Sequence, residues 1–156
     1  MASNLRSTIG RATLVAGSLD LMSAFVFGGM KGAGPARILR SVASGPFGDA
    51  MSDGGASAAL IGLVTHFTIM TVMVSVFVLA STKIEWLRRN WLLAGTLYGL
   101  ALYGVMYRIV LVLRYPDAFP QSELWQVSNA LFSHIVCVGI PIAYIASRRL
   151  AGGEQH

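Results

Sequence analysis

Residues 57–81 read SAALIGLVTHFTIMTVMVSVFVLAS, and this stretch decides the fold. It contains no Asp, Glu, Lys or Arg, over a length sufficient for the ~20 apolar residues of a bilayer-crossing helix. Three further predominantly apolar runs of similar length lie at 10–30, 91–113 and 126–147. The chain therefore reads as one all-α polytopic membrane domain over 1–156, a four-transmembrane-helix bundle. Composition agrees, with 12% charged residues against about 25% in a soluble domain. The mean hydropathy is +0.63. Lipid tails are as apolar as leucine, so packing and polar contacts must hold such a bundle together.

The first run invites a signal-peptide reading, with Arg6 and Arg11 as the basic flank and small residues over 32–36. Its length and the interrupting Asp20 favour a retained helix instead. Basic residues set the orientation. Arg6, Arg11, Lys83, Arg88, Arg89, Arg148 and Arg149 fall on one side. Lys31, Arg37, Arg40 and Arg114 fall on the other, with Arg108 near that edge. The positive-inside rule then places both termini in the cytoplasm. Trp86, Trp91 and Trp125 fall at helix ends, where aromatic belts form. The net charge of +5 does not indicate nucleic acid, because no basic face is interleaved with aromatics. Cys137 is the single cysteine, which excludes an intrachain disulfide.

The first outer loop is long. Pro35 suits the first position of a short amphipathic helix over 35–44, with Ile38, Leu39 and Val42 on its apolar side and Gly45-Pro46 ending it. Gly48, Gly54 and Gly55 make a flexible return. This pattern favours a helix lying on the outer headgroups over a lid across the bundle mouth.

Asp20 is the residue most in need of explanation, because a carboxylate at mid-bilayer depth is kept only where something pairs with it or uses it. It shares a face with Ala16, Gly17, Ser23, Ala24 and Gly28, small residues that let helices approach closely, so it points inward. His66 and His134 lie about nine and eight residues from their outer helix ends. At ~1.5 Å per residue both are level with Asp20. These three form a candidate buried polar site, in which a neutral histidine can accept or give a proton beside a carboxylate. The alternative is three separately satisfied groups that fix helix register. Ser18, Thr65, Asn129 and Ser133 are available as supporting partners.

Gly95 and Gly99 form a GxxxG stripe that continues into Tyr103 and Tyr107 on the same face. Arg108 either snorkels to the headgroups or pairs with Asp20. Pro141 is expected to kink the fourth helix. Two imidazoles on facing helices can also be axial ligands of a b-type haem. Asp20, His66, His134 and Cys137 nominally supply four zinc ligands. No phosphate-binding loop, nucleophile elbow, HExxH or CxxC supports an enzyme.

Several stretches carry a resemblance: Ile38-Leu39-Arg40-Ser41-Val42-Ala43-Ser44-Gly45, the pair Gly54-Gly55, and Gly62-Leu63-Val64-Thr65-His66-Phe67. So do Leu93-Ala94-Gly95-Thr96-Leu97-Tyr98-Gly99, Ser133-His134, Gly139-Ile140-Pro141-Ile142-Ala143 and Arg148-Arg149. Across nearly its whole length the chain resembles small, uncharacterised four-helix proteins of the bacterial inner membrane. These carry an SGxxG loop, a glycine pair and a helix-2 histidine. The group has an asparagine near the end of helix 3, where this chain has Tyr107-Arg108. The resemblance implies fold and inner-membrane location and brings no activity with it.

Three functions follow as expectations. The first is a non-catalytic accessory or structural subunit of a larger membrane assembly or homo-oligomer. The second is a proton- or cation-handling protein using Asp20, His66 and His134. The third is a bis-histidine haem carrier.

Overall fold

A computed structural model describes residues 2–151. Four helices are long and apolar enough to cross a membrane: Asn4–Met30, Gly55–Lys83, Trp91–Arg114 and Leu124–Leu150. The four runs read from the sequence all lie within them. Each extends slightly beyond the apolar stretch that defines it, and the first gains most. Helix α1 (Ala2–Met30) begins well before Gly10, because its amino-terminal polar residues find partners. The Asn4 amide donates to the Arg149 carbonyl at 3.1 Å, and the Thr8 hydroxyl to the Asn4 carbonyl at 2.8 Å.

The second long helix is α3 (Gly55–Lys83). A short helix, α4 (Glu85–Arg89), turns the chain back. The third and fourth long helices are not uniform α-helices. The third runs as α5 (Trp91–Val105), a π turn (Met106–Val110) and α6 (Leu111–Arg114). The fourth runs as α7 (Leu124–Phe132), a wider π stretch (Ser133–Gly139) and α8 (Ile140–Ala151). Pro141 has no N–H to donate back up the helix, and the chain meets it by widening over the preceding turns. The disturbance expected at Pro141 is thus a π stretch.

The fourth long helix is the hub. It packs against the other three and is the most buried of them. Val138, Ile142, Ala143 and Ala146 meet Ala12 and Ala16 of the first helix, Met70, Val74, Phe77 and Val78 of the second, and Ala94 and Leu102 of the third. Small residues set the spacing. A methyl group on Gly99 would strike the His134 carbonyl and sit 2.6 Å from Ile135 Cα. One on Gly95 would sit 2.8 Å from the Gly139 carbonyl. The GxxxG stripe is therefore a backbone-to-backbone contact with the fourth helix, as its spacing predicts. Gly17 accommodates the Phe67 ring of the second helix, while Gly28 faces Ile38 of the loop helix. Ala24 is half-buried.

The loop helix, α2, spans Pro35–Phe47 and differs from expectation in length and setting. It runs through Gly45-Pro46 and stops at Gly48, whose positive φ of 91° is readily adopted by glycine and strained for other residues. A proline near a carboxyl end breaks only one backbone bond, so it need not terminate the helix there. The helix packs on the bundle: Ala43 and Ser44 are buried, and the Leu39 backbone lies so close to Gly62 that a side chain there would collide with it. The Ser44 hydroxyl and Tyr115 phenol share a hydrogen bond of 2.7 Å. Arg114 donates to the Gly45 and Ser44 carbonyls at 3.0 and 3.1 Å and to Asp49 at 2.6 Å. A 3-10 turn over Asp49–Asp53 gives the return loop more order than its glycines suggest.

Candidate functional site

Asp20 and His66 meet. Gly17 brings the first and second long helices together, and one turn later the Asp20 carboxylate faces the imidazole, with Oδ2 4.0 Å from Nδ1. The imidazole is fixed on its other side, where Nε2 lies 2.9 Å from the Gly17 carbonyl oxygen. A carbonyl only accepts, so Nε2 carries the hydrogen. That leaves Nδ1 as the nitrogen facing Asp20.

The consequence is a proton count. With Nε2–H fixed, either His66 Nδ1 holds a proton beside a carboxylate, or Asp20 is a neutral acid facing an imidazole lone pair. Both states contain one exchangeable proton and have no net charge, the condition that low-dielectric surroundings favour. Removing that proton would leave a carboxylate facing a lone pair. The separation of 4.0 Å exceeds hydrogen-bond range, so direct transfer requires the groups to close by ~1 Å. The side chains are 10% exposed at His66 and 22% exposed at Asp20, so the carboxylate is the open side of the pair.

His134 lies on the fourth helix, next to Ser133, whose hydroxyl bonds Ser23 less than one turn from Asp20. Its Nδ1 is 3.0 Å from the Ala130 carbonyl one turn back, so this nitrogen carries the hydrogen and Nε2 keeps its lone pair. Tyr107 stands edge-on to the His134 ring at 5.4 Å between centroids, and Tyr103 stacks on Tyr107 at 5.2 Å. Both π segments fall here, one carrying Tyr107 and the other His134. Such segments re-aim side chains relative to an unbroken α-helix.

A second polar tie lies beside this one. Ser23 and Ser133 share a buried hydroxyl bridge of 2.6 Å between the first and fourth helices. One turn nearer the loop end, Asn129 Oδ1 is buried without a hydrogen-bond partner. Water meets such an acceptor in most folded proteins. Ser18 is exposed and Thr65 half-buried, so neither supports the site as Ser133 does.

Arg108 is exposed, and among the described residues Asp20 forms its ion pair with His66. The four-ligand zinc set does not form: among the described residues no group of three or more His, Cys, Asp or Glu converges on one point. For the haem reading, both His66 ring nitrogens are turned to protein groups. His66 gives one ring nitrogen to Gly17 and turns the other to Asp20, so neither points into open space.

No protein-family model, curated protein or solved structure matches this chain.

Proposed function

We propose that this protein binds and exchanges protons inside a membrane, with Asp20 and His66 as the proton-holding pair and His134 as a second acceptor. The observation that carries the proposal is the approach of Asp20 to an imidazole whose far nitrogen is fixed as a donor. That arrangement holds one proton without net charge and can release it only by creating a buried charge. It suits a proton better than a metal cation, for which no group of three or more His, Cys, Asp or Glu converges among the described residues. Leu14, Val26, Leu60, Val64, Val72, Leu92 and other large apolar side chains face outward, as a lipid environment requires.

The setting belongs to the same proposal: a bacterial inner membrane with both termini cytoplasmic. The excess of basic residues at the termini end and the family resemblance support it. In this proposal water enters from the loop end past Asn129, whose buried side-chain oxygen has no protein hydrogen-bond partner.

The test is proton movement in liposomes containing the purified protein, followed with an internal pH dye after an external pH jump. Wild type should equilibrate faster than empty liposomes, and Asp20→Asn should match empty liposomes while keeping wild-type helicity. A purely structural subunit, in which the pair is interhelical glue, predicts instead that Asp20→Asn loses stability and that wild type moves no protons. Equal rates for wild type, Asp20→Asn and empty liposomes would refute proton handling.

A further inference from the structure

The termini end of the bundle carries a feature that the proton site does not use. A groove of about 410 Å³ opens between the first and fourth long helices. Leu14, Val15, Ile145 and Tyr144 form its wall, and Arg11, Arg148 and Arg149 stand at its rim. The wall is outward-facing, with Leu14 63% and Val15 44% exposed. It therefore lies open to whatever surrounds the bundle.

The rim is built to differing degrees. Arg149 is held in place by the first helix, donating to the Ser7 hydroxyl at 2.9 Å and the Thr8 hydroxyl at 3.4 Å. The Arg148 guanidinium lies 5.5 Å from the centre of the Tyr144 ring. Arg11 and Arg148 are exposed, and neither has a carboxylate within ion-pair distance among the described residues. Among the described residues no acidic residue lines the groove. Glu85, the acidic residue described at this end, is paired with Arg89 at 3.6 Å. Three guanidinium groups above an apolar wall thus place charge that no described carboxylate pairs at one level and apolar surface at the next.

We infer that this groove is a binding site for an anionic phospholipid, with the phosphate between Arg11, Arg148 and Arg149 and an acyl chain along Leu14, Val15 and Ile145. Guanidinium forks match phosphate oxygens in geometry as well as charge. Basic pockets between membrane helices on the cytoplasmic side bind lipid headgroups by this chemistry. The apolar wall below the rim selects a lipid over a free phosphate ion, which would use the arginines and leave the wall bare. The inference rests on the four long helices crossing a bilayer and is independent of proton handling at Asp20.

Native mass spectrometry of the detergent-purified protein, titrated with phosphatidylglycerol or phosphatidylcholine, tests it. The variants are Arg148→Gln, the pair Arg11→Gln/Arg148→Gln, and Arg6→Gln as a charge control at the same end but outside the groove. Arg149 is left intact because it ties the first helix to the fourth. Phosphatidylglycerol should bind wild type in preference to phosphatidylcholine. Its affinity should fall about fivefold in Arg148→Gln and about thirtyfold in the pair, while Arg6→Gln stays near wild type. Equal binding of the two lipids would overturn the inference. So would an effect of Arg6→Gln as large as that of Arg148→Gln, which would mean diffuse charge attraction. Displacement of bound lipid by millimolar inorganic phosphate would show a simple anion site and overturn the lipid assignment. An alkaline carbonate wash of native membranes separates the two levels. Release of the protein would remove the bilayer reading and this inference together. Retention with no lipid preference would remove this inference alone.

Discussion

Replacing Gly99 with alanine should drive the third and fourth long helices apart at the level of the polar site. The new methyl would meet the His134 carbonyl head-on and lie 2.6 Å from Ile135 Cα. Carbon atoms rest at about 3.5–4.0 Å, so the helices must separate by about 1 Å. The obstructing atoms are backbone, and no side chain can swing away. The expected loss is at the upper end of the overpacking range of about 1–3 kcal/mol. Gly139→Ala should behave alike, since its methyl would meet the Gly95 carbonyl and lie 2.7 Å from the Gly99 nitrogen. Gly104→Ala is the internal control: it lies in the same third helix, with nothing within 4 Å of the added methyl. That variant should be neutral, or up to about 1 kcal/mol more stable through helix propensity. Stability would be read from unfolding in mixed micelles titrated with dodecyl sulfate, followed by circular dichroism. Equal stability of Gly99→Ala and Gly104→Ala would refute the backbone contact. Because Gly99 holds the His134 backbone, Gly99→Ala should also slow proton exchange, whereas Gly104→Ala should not.

Further predictions concern the polar ties. Ser23→Ala should cost about 0.6 kcal/mol, the mean for interhelical hydrogen bonds in membranes. Adding Ser133→Ala should then cost little more, and a double-mutant cycle with additive losses would contradict the hydroxyl bridge. Arg114→Gln removes charge-assisted bonds to Gly45, Ser44 and Asp49, worth about 1.5 kcal/mol, so hydrogen exchange over residues 35–53 should quicken roughly tenfold. Unchanged exchange there would show that the Gly62 contact alone holds the loop helix. Asn129→Leu should slow proton entry in liposomes without loss of helicity. A wild-type rate would place the water route elsewhere.

The fold was legible because a bilayer-length apolar helix has a plain signature, and the four runs show it. Asp20, His66 and His134 were placed at one level by helix rise alone. Whether they touch depends on helix rotation, which the sequence does not announce. The π segments at Tyr107 and His134 change that rotation locally, and the third helix has no proline at its π turn to signal it. Gly139 was missed as a packing residue, although Gly139 and Ala143 have the same small-residue spacing as Gly95 and Gly99. The Ser23–Ser133 bridge had no comparable signal, since single serines in apolar helices do not reveal a partner. The loop helix was placed correctly at its start by Pro35 and wrongly at its end. Pro46 looks like a stop, but the positive-φ residue that ends the helix is Gly48. Its docking could not be foreseen because Gly62 and Arg114, which receive it, are distant in sequence.

The central claim is that Asp20 and His66 hold one exchangeable proton between them. Infrared difference spectroscopy of the carboxyl C=O stretch, recorded across pH in water and in deuterium oxide, tests it most directly. The account predicts a protonated-carboxyl band that titrates, shifts on deuteration, disappears in Asp20→Asn and moves in His66→Gln. A titrating band that survives in Asp20→Asn, or no titrating carboxyl in wild type, would contradict it.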